Sequence, residues 1–309
     1  MSYIIFTAPR TGSTEFIERL ALATNKQPHS SNLIEFFNPP CVGAFGDLIH
    51  LYYNPKLFGT QTDVLVLKEN IKLPNIKCSH LIEDSSIYMN KVKIQFDNVQ
   101  QLEAFLLDEA QRRIEFITNL NHTYFVKQFI GLFSLTDISN QLLNIKNARK
   151  IFYYRKDSIN TIFSGLIKAY YFDRPNSEKK INIDAHNWDG KLEPVEPNNI
   201  VLEEHKIKKE IEPYINLLKF FKNNRDKFDV ICSYEDVFVD GTEINFDNGV
   251  KLTLKDLNNN HDGEHPMPYL ADKTEYFTNS NFVIQLLNER IKECKLEDVI
   301  KELGITGPW

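Results

Sequence analysis

YIIFTAPRTGSTEF, residues 3–16, runs from an unbroken apolar segment through a short polar loop into residues of helical spacing. Tyr3 to Thr7 reads as a buried strand, and Phe16, Ile17, Leu20 and Ala21 recur on one face of the helix that follows. The loop between them, Ala8 to Thr14, lies where a helix N-terminus leaves amide N–H groups unpaired and its dipole favours an anion. Gly12 permits close backbone approach, Arg10 brings a fixed fork of donors, and Ser13 and Thr14 offer hydroxyls and can N-cap the helix. A plain strand-to-helix turn with a good cap is the competing account of these residues. The Walker pattern GxxxxGK[ST] is absent and the loop holds no lysine, which disfavours an ordinary ATPase or kinase.

Outward from this stretch, short apolar runs alternate with helical patterns. Asp97 with Gln100 predicts a helix start, followed by Val99, Leu102, Leu106, Ala110, Ile114 and Ile117 along one face. Tyr124 to Lys127 and Lys150 to Tyr154 are further strands, with a helical stretch around 135–145 between them. From Asp157, placed to cap, Ile159, Ile162, Phe163, Leu166, Ile167 and Tyr170 form the clearest helical stripe in the chain. Residues 173–200, rich in Pro, Asn and Asp, read as a long excursion of the kind that covers a site. A helix follows over 203–224, which Pro213 must break, kink or restart. Asp229 to Ser233 is a fourth core strand. Asp247, Asn248 and Gly249 join two short strands in a hairpin, and helical turns close the chain over 282–294 and 296–303 before Gly304. Alternating strands and helices imply a mainly parallel sheet covered on both faces, with ligands beyond the carboxyl ends of its strands.

Composition narrows the function. A chain of 309 residues with 42% hydrophobic and 12% aromatic residues has the makings of a packed core. Its net charge of −6 disfavours a nonspecific nucleic-acid binder, so any anion site must be local. Apolar runs fall well short of the roughly 20 residues a membrane-crossing helix needs, and the N-terminus does not read as a signal peptide. Cys41, Cys78, Cys232 and Cys294 lack CxxC spacing and read as reduced thiols, so a cytoplasmic setting is expected. His261 and His265 lie among Asn, Gly and Pro residues, where a helical metal pair is not expected, and no metal is assigned.

A second anion-binding candidate follows another strand. Arg155 ends the Lys150–Tyr154 run, and Ser164, nine residues later, falls off the apolar stripe of its helix. An Arg in a surface ion pair and a Ser on a solvated face are the competing account. By themselves Lys127 reads as an ordinary strand-end lysine and Lys273 as a solvated charge. Glu35 sits before an aromatic pair in NLIEFFNP and by itself reads as an exposed carboxylate.

These segments resemble the sulfotransferases that use 3′-phosphoadenosine 5′-phosphosulfate. YIIFTAPRTGSTEF is similar to their 5′-phosphosulfate loop and IFYYRKDSINTIFSGLIKAY to their 3′-phosphate motif. VICSYEDVF resembles a later strand and turn, and NLIEFFNP the segment carrying the catalytic glutamate of the bacterial carbohydrate and lipid-linked members. YLADKTEYFTN resembles the closing donor loop less well. The resemblance implies a three-layer α/β/α fold with a central mainly parallel sheet, like that of P-loop nucleotide kinases, plus the small hairpin, as one domain over 1–309. It implies that Arg10, Thr11, Gly12, Ser13 and Thr14 hold the phosphosulfate, Arg155 with Ser164 the 3′-phosphate, and that Tyr234 lies near the adenine. Glu35 would be the general base, Lys127 would stabilise charge on the bridging oxygen, and Lys273 would touch a phosphate. The expected acceptor is a carbohydrate or small-molecule hydroxyl, reached beneath the 173–200 excursion. A divergent kinase-like enzyme and a noncatalytic protein retaining the donor fold are the alternatives.

Overall fold

The computed structural model describes residues 2–9, 11–23, 56, 58–68, 89–120, 123–130, 136–172, 201–247, 250–252, 274 and 277–307. Strand β1, Ser2–Thr7, is buried throughout and leads through the loop into α1, Ser13–Ala23. An antiparallel pair follows, β2 (Gln61–Leu67) and β3 (Met89–Gln95), then helix α2 (Val99–Thr118). The chain continues through β4 (Phe125–Phe129), α3 (Thr136–Leu143), β5 (Ala148–Tyr154), α4 (Ser158–Phe172), α5 (Glu204–Asn224) and β6 (Val230–Ser233). A π-helical turn, Glu235–Val239, precedes the hairpin of β7 (Ile244–Asp247) and β8 (Val250–Leu252), and α6 (Ser280–Glu293) and α7 (Glu297–Leu303) complete it.

Among the described residues the central sheet has four parallel strands in the order β4-β1-β5-β6. Side chains alternate across it, as a doubly covered sheet requires. Ile4, Phe6, Phe152 and Tyr154 join a core with helices α2 to α7, whereas Tyr3, Ile5, Ile151 and Tyr153 pack with Phe16, Ile17 and Leu20 of α1. The α/β/α layering read from the sequence is therefore present. The chain steps from β1 to β4 on one side, then crosses to β5 on the other, so the order reverses between β1 and β5. Such a reversal opens a crevice at the strands' carboxyl ends, where ligands of open α/β sheets sit.

Several boundaries differ from expectation. The α2 cap is Asn98, whose side chain accepts from the Gln101 amide at 3.0 Å while Gln101 accepts from the Asp97 amide. The capping pair is therefore one residue later than Asp97 with Gln100, with Asn98 in the cap position and Gln101 reaching back to the amide before it. Helix α5 runs unbroken through Pro213, which lies off the buried stripe of Ile211, Tyr214, Ile215 and Leu218. The carbonyl that Pro213 leaves unbonded belongs to exposed Lys209, where water can serve it. Strand β4 continues two residues past Lys127. The β2–β3 pair was not expected at all. Residues 173–200 lie outside the described residues.

Candidate functional site

Two chain segments leave the sheet side by side at the β1/β5 reversal. Phe6 pairs with Phe152, and the same offset sets Ala8 level with Tyr154, so Arg155 emerges beside the loop. On its other side Tyr154 pairs with Ser233, which brings Tyr234 to the same edge. Three turns thus meet: the β1–α1 loop, the β5–α4 turn, and the turn after β6.

Gly12 adopts φ +76°, and a Cβ there would stand 2.9 Å from the Tyr234 ring. The guanidinium of buried Arg155 lies over that same ring, 4.8 Å from its centroid. Tyr234 therefore joins the loop to Arg155. It is only 9% exposed, so little of its ring remains open for an adenine.

The next two residues fix the turn that carries Arg155. Glu235 accepts the backbone amides of Lys156 at 2.8 Å and Asp157 at 3.1 Å, and stands 3.7 Å from Arg155 Nε. Asp236 pairs with Lys156 and exchanges hydrogen bonds with Ser233. Burial works to raise the Asp236 carboxyl, but the bonds from Lys156 and Ser233 prevail and hold it below its usual range. The far side of the turn is braced by the end of α7: Tyr154 donates to the Leu303 carbonyl, and the Thr306 amide to that of Lys156. Asp157 caps α4 through the Asn160 amide, as its position suggested. Since a carboxylate already occupies the Lys156 and Asp157 amides, an external phosphate at this turn would meet Arg155.

Within the loop the roles of the predicted residues separate. Helix α1 begins at Ser13, and the Gly12 carbonyl accepts the Phe16 amide. Ser13 and Thr14 thus occupy the first turn instead of capping it, because the left-handed bend at Gly12 starts the helix one residue ahead of them. Their amides are among those a helix leaves unbonded. Buried Thr11 directs its hydroxyl inward, to the Ala8 carbonyl at 3.0 Å and to Thr7 at 2.8 Å. Its hydroxyl thus shapes the loop.

Lys127 is buried in mid-strand opposite Ile5, with its ammonium 4.8 Å from the Phe129 ring centroid. Expected at a strand end, it instead starts two residues, about 7 Å, below the rim of the sheet. Ser164 is half-buried beside Gly165, whose hydrogen faces the Glu210 carboxylate of α5. Arg10, Glu35 and Lys273 lie outside the described residues, as does the side chain of Thr14.

One residue that the sequence reading passed over belongs to this cluster. Tyr153 is fully buried and stacked on Phe16, its hydroxyl close beneath Gly12. Strand alternation could have found it, for Tyr153 is two residues before Arg155 and so faces the same side. The assembled groups suit a polyanion: backbone amides, Arg155 and a phenol, with the nearby carboxylates of Asp157, Glu235 and Asp236 already bonded. Among the described residues no group of three or more His, Cys, Asp and Glu residues stands ready for a metal ion, and no helix is long and apolar enough to cross a membrane.

No family model and no curated protein matches the chain. A solved structure from the PezAT chromosomal toxin-antitoxin system of the human pathogen Streptococcus pneumoniae aligns over 96% of this chain and 88% of that one, at 9% identity and a TM-score of 0.33. A likeness that shallow bears on neither function nor mechanism.

Proposed function

We propose that the chain is a sulfotransferase that moves a sulfuryl group from 3′-phosphoadenosine 5′-phosphosulfate to a hydroxyl of a sugar or other small acceptor. The observation behind this reading is that the loop and Arg155, far apart in sequence, meet on the Tyr234 ring at the sheet's point of reversal. A nucleotide carrying phosphates at both its 3′ and 5′ ends requires two such segments. The loop amides and Arg10 hold the phosphosulfate, and Arg155 with Ser164 the 3′-phosphate, while Lys273 adds a phosphate contact. Glu35 takes the acceptor's hydroxyl proton as that oxygen bonds to sulfur. The bond from sulfur to the donor phosphate breaks, with Lys127 near the departing charge, and 3′-phosphoadenosine 5′-phosphate leaves. The absence of a loop lysine favours this over a kinase.

Thermal melting with the product nucleotide tests the reading. A ligand at 100 times its Kd should add about 2.7 kcal/mol to folded stability, and Arg155→Ala should remove most of that gain. An undiminished gain in the variant rules out Arg155 as the 3′-phosphate contact. Glu35→Gln should keep nucleotide binding but slow transfer from labelled donor about 100-fold or more. Binding without turnover on any acceptor would favour a noncatalytic protein, and Mg²⁺-dependent preference for ATP a kinase.

A further inference from the structure

The Tyr153 hydroxyl is out of place as a purely structural group. It is fully buried and, among the described residues, has no hydrogen-bond partner. Its neighbour Tyr154, facing the opposite core, donates to the Leu303 carbonyl at 2.7 Å. Phenylalanine would fill the same volume, keep the stack on Phe16 at 4.2 Å, and leave no polar atom unsatisfied. A lone buried donor calls for a specific explanation, and its surroundings supply one. The hydroxyl lies 3.8 Å from the Cβ position of Gly12, in the loop to which the anion is assigned above.

We infer that the Tyr153 hydroxyl is a ligand contact, donating a hydrogen bond to a phosphate or sulfate oxygen of the anion held by the 8–14 loop. The inference rests on the anion-binding reading of that loop and adds a donor supplied by β5. Burial foremost, with Cys232, Tyr234 and Glu235 adding and Arg155 opposing, pushes the phenol well above its ordinary pKa, so it remains a donor at neutral pH. A neutral donor there leaves the charge balance to Arg155 and Arg10 and reads the ligand by hydrogen bonding alone.

The test compares the full chain with Tyr153→Phe, using 3′-phosphoadenosine 5′-phosphate, ADP and inorganic pyrophosphate as probes in calorimetric titration and thermal melting. The variant should melt about 1–3 °C higher without ligand, because an unsatisfied buried group is gone. It should bind the tightest probe about tenfold more weakly, the loss expected for one hydrogen bond to a charged group. Equal affinity in both proteins would falsify the inference while leaving the donor reading intact, and a lower melting temperature without ligand would show that the hydroxyl serves the fold. If the wild type binds ADP or pyrophosphate but not the 3′-phosphorylated nucleotide, the donor reading fails and Tyr153 is judged on the anion that binds. A wild type that binds none of the three overturns both.

Discussion

At position 12 an L side chain meets two obstacles at once. The φ of +76° costs a non-glycine residue about 1–2 kcal/mol, and its Cβ would press to 2.9 Å on a ring that Arg155 covers. Gly12→Ala should therefore destabilise the protein by about 1–3 kcal/mol in urea unfolding, and by less in a Tyr234→Ala background, where only the backbone cost remains. Strictly additive losses would mean that the loop and Tyr234 do not press on each other. The sequence showed that Gly12 allows close approach, but not what approaches. Tyr234 is 222 positions away, and only the strand order makes them neighbours. Tyr153 was overlooked for a related reason: a tyrosine within an apolar run looks like ordinary core until its hydroxyl is followed to a partner and none is found.

Among the elements, α2 shows how residue type can hide position. The sequence places Val99, Leu102, Leu106, Ala110, Ile114 and Ile117 on one face, and all but the half-buried Val99 are buried. Glu109 and Arg113 lie on the same stripe and are buried with them, although their charges suggest solvent. Glu109 accepts the Leu67 amide at 2.6 Å and Arg113 Nε at 2.9 Å, and it also pairs with Arg112. Burial lowers Arg113 to about 10 despite the opposing charge of Glu109. This carboxylate binds the end of β2 to α2, and its removal leaves one guanidinium buried without its charge. Glu109→Ala should cost about 3–5 kcal/mol, against about 1 kcal/mol for Asn98→Ala at the helix cap. Comparable denaturation midpoints for the two variants would show that water reaches Arg113. The β2–β3 pair was missed although Val64–Leu67 is an apolar run and Lys91–Gln95 alternates polar with apolar residues; no short turn joins the two strands to mark them as a pair. Their register, with Asp63 bonded to Lys91 at 3.0 Å, emerges only in the fold.

Taken whole, the molecule places ionisable groups on both sides of its sheet where water is excluded. The sequence made the parallel sheet legible through alternating strands and helices. It could not supply the order β4-β1-β5-β6, because every one of these strands is apolar enough to lie beside any other. That order stacks phenols and a thiol between layers. Burial pushes Tyr124 up to about 12, and raises Tyr153, Tyr154, Tyr214 and Cys232 as well. Each raised value means that the folded chain holds its proton more tightly than the unfolded one. Their contribution is fully present below the ordinary values of 9.0 for the thiol and 10.0 for the phenols, and is lost as pH rises through the folded values. The urea midpoint should accordingly be level between pH 7 and about 8.5 and fall steeply from pH 9 to 11. Tyr214→Phe, which removes one of these protons, should make that fall shallower. A midpoint that holds steady to pH 11 would mean that the two cores admit water, and that the layers on either side of the sheet are looser than their burial implies.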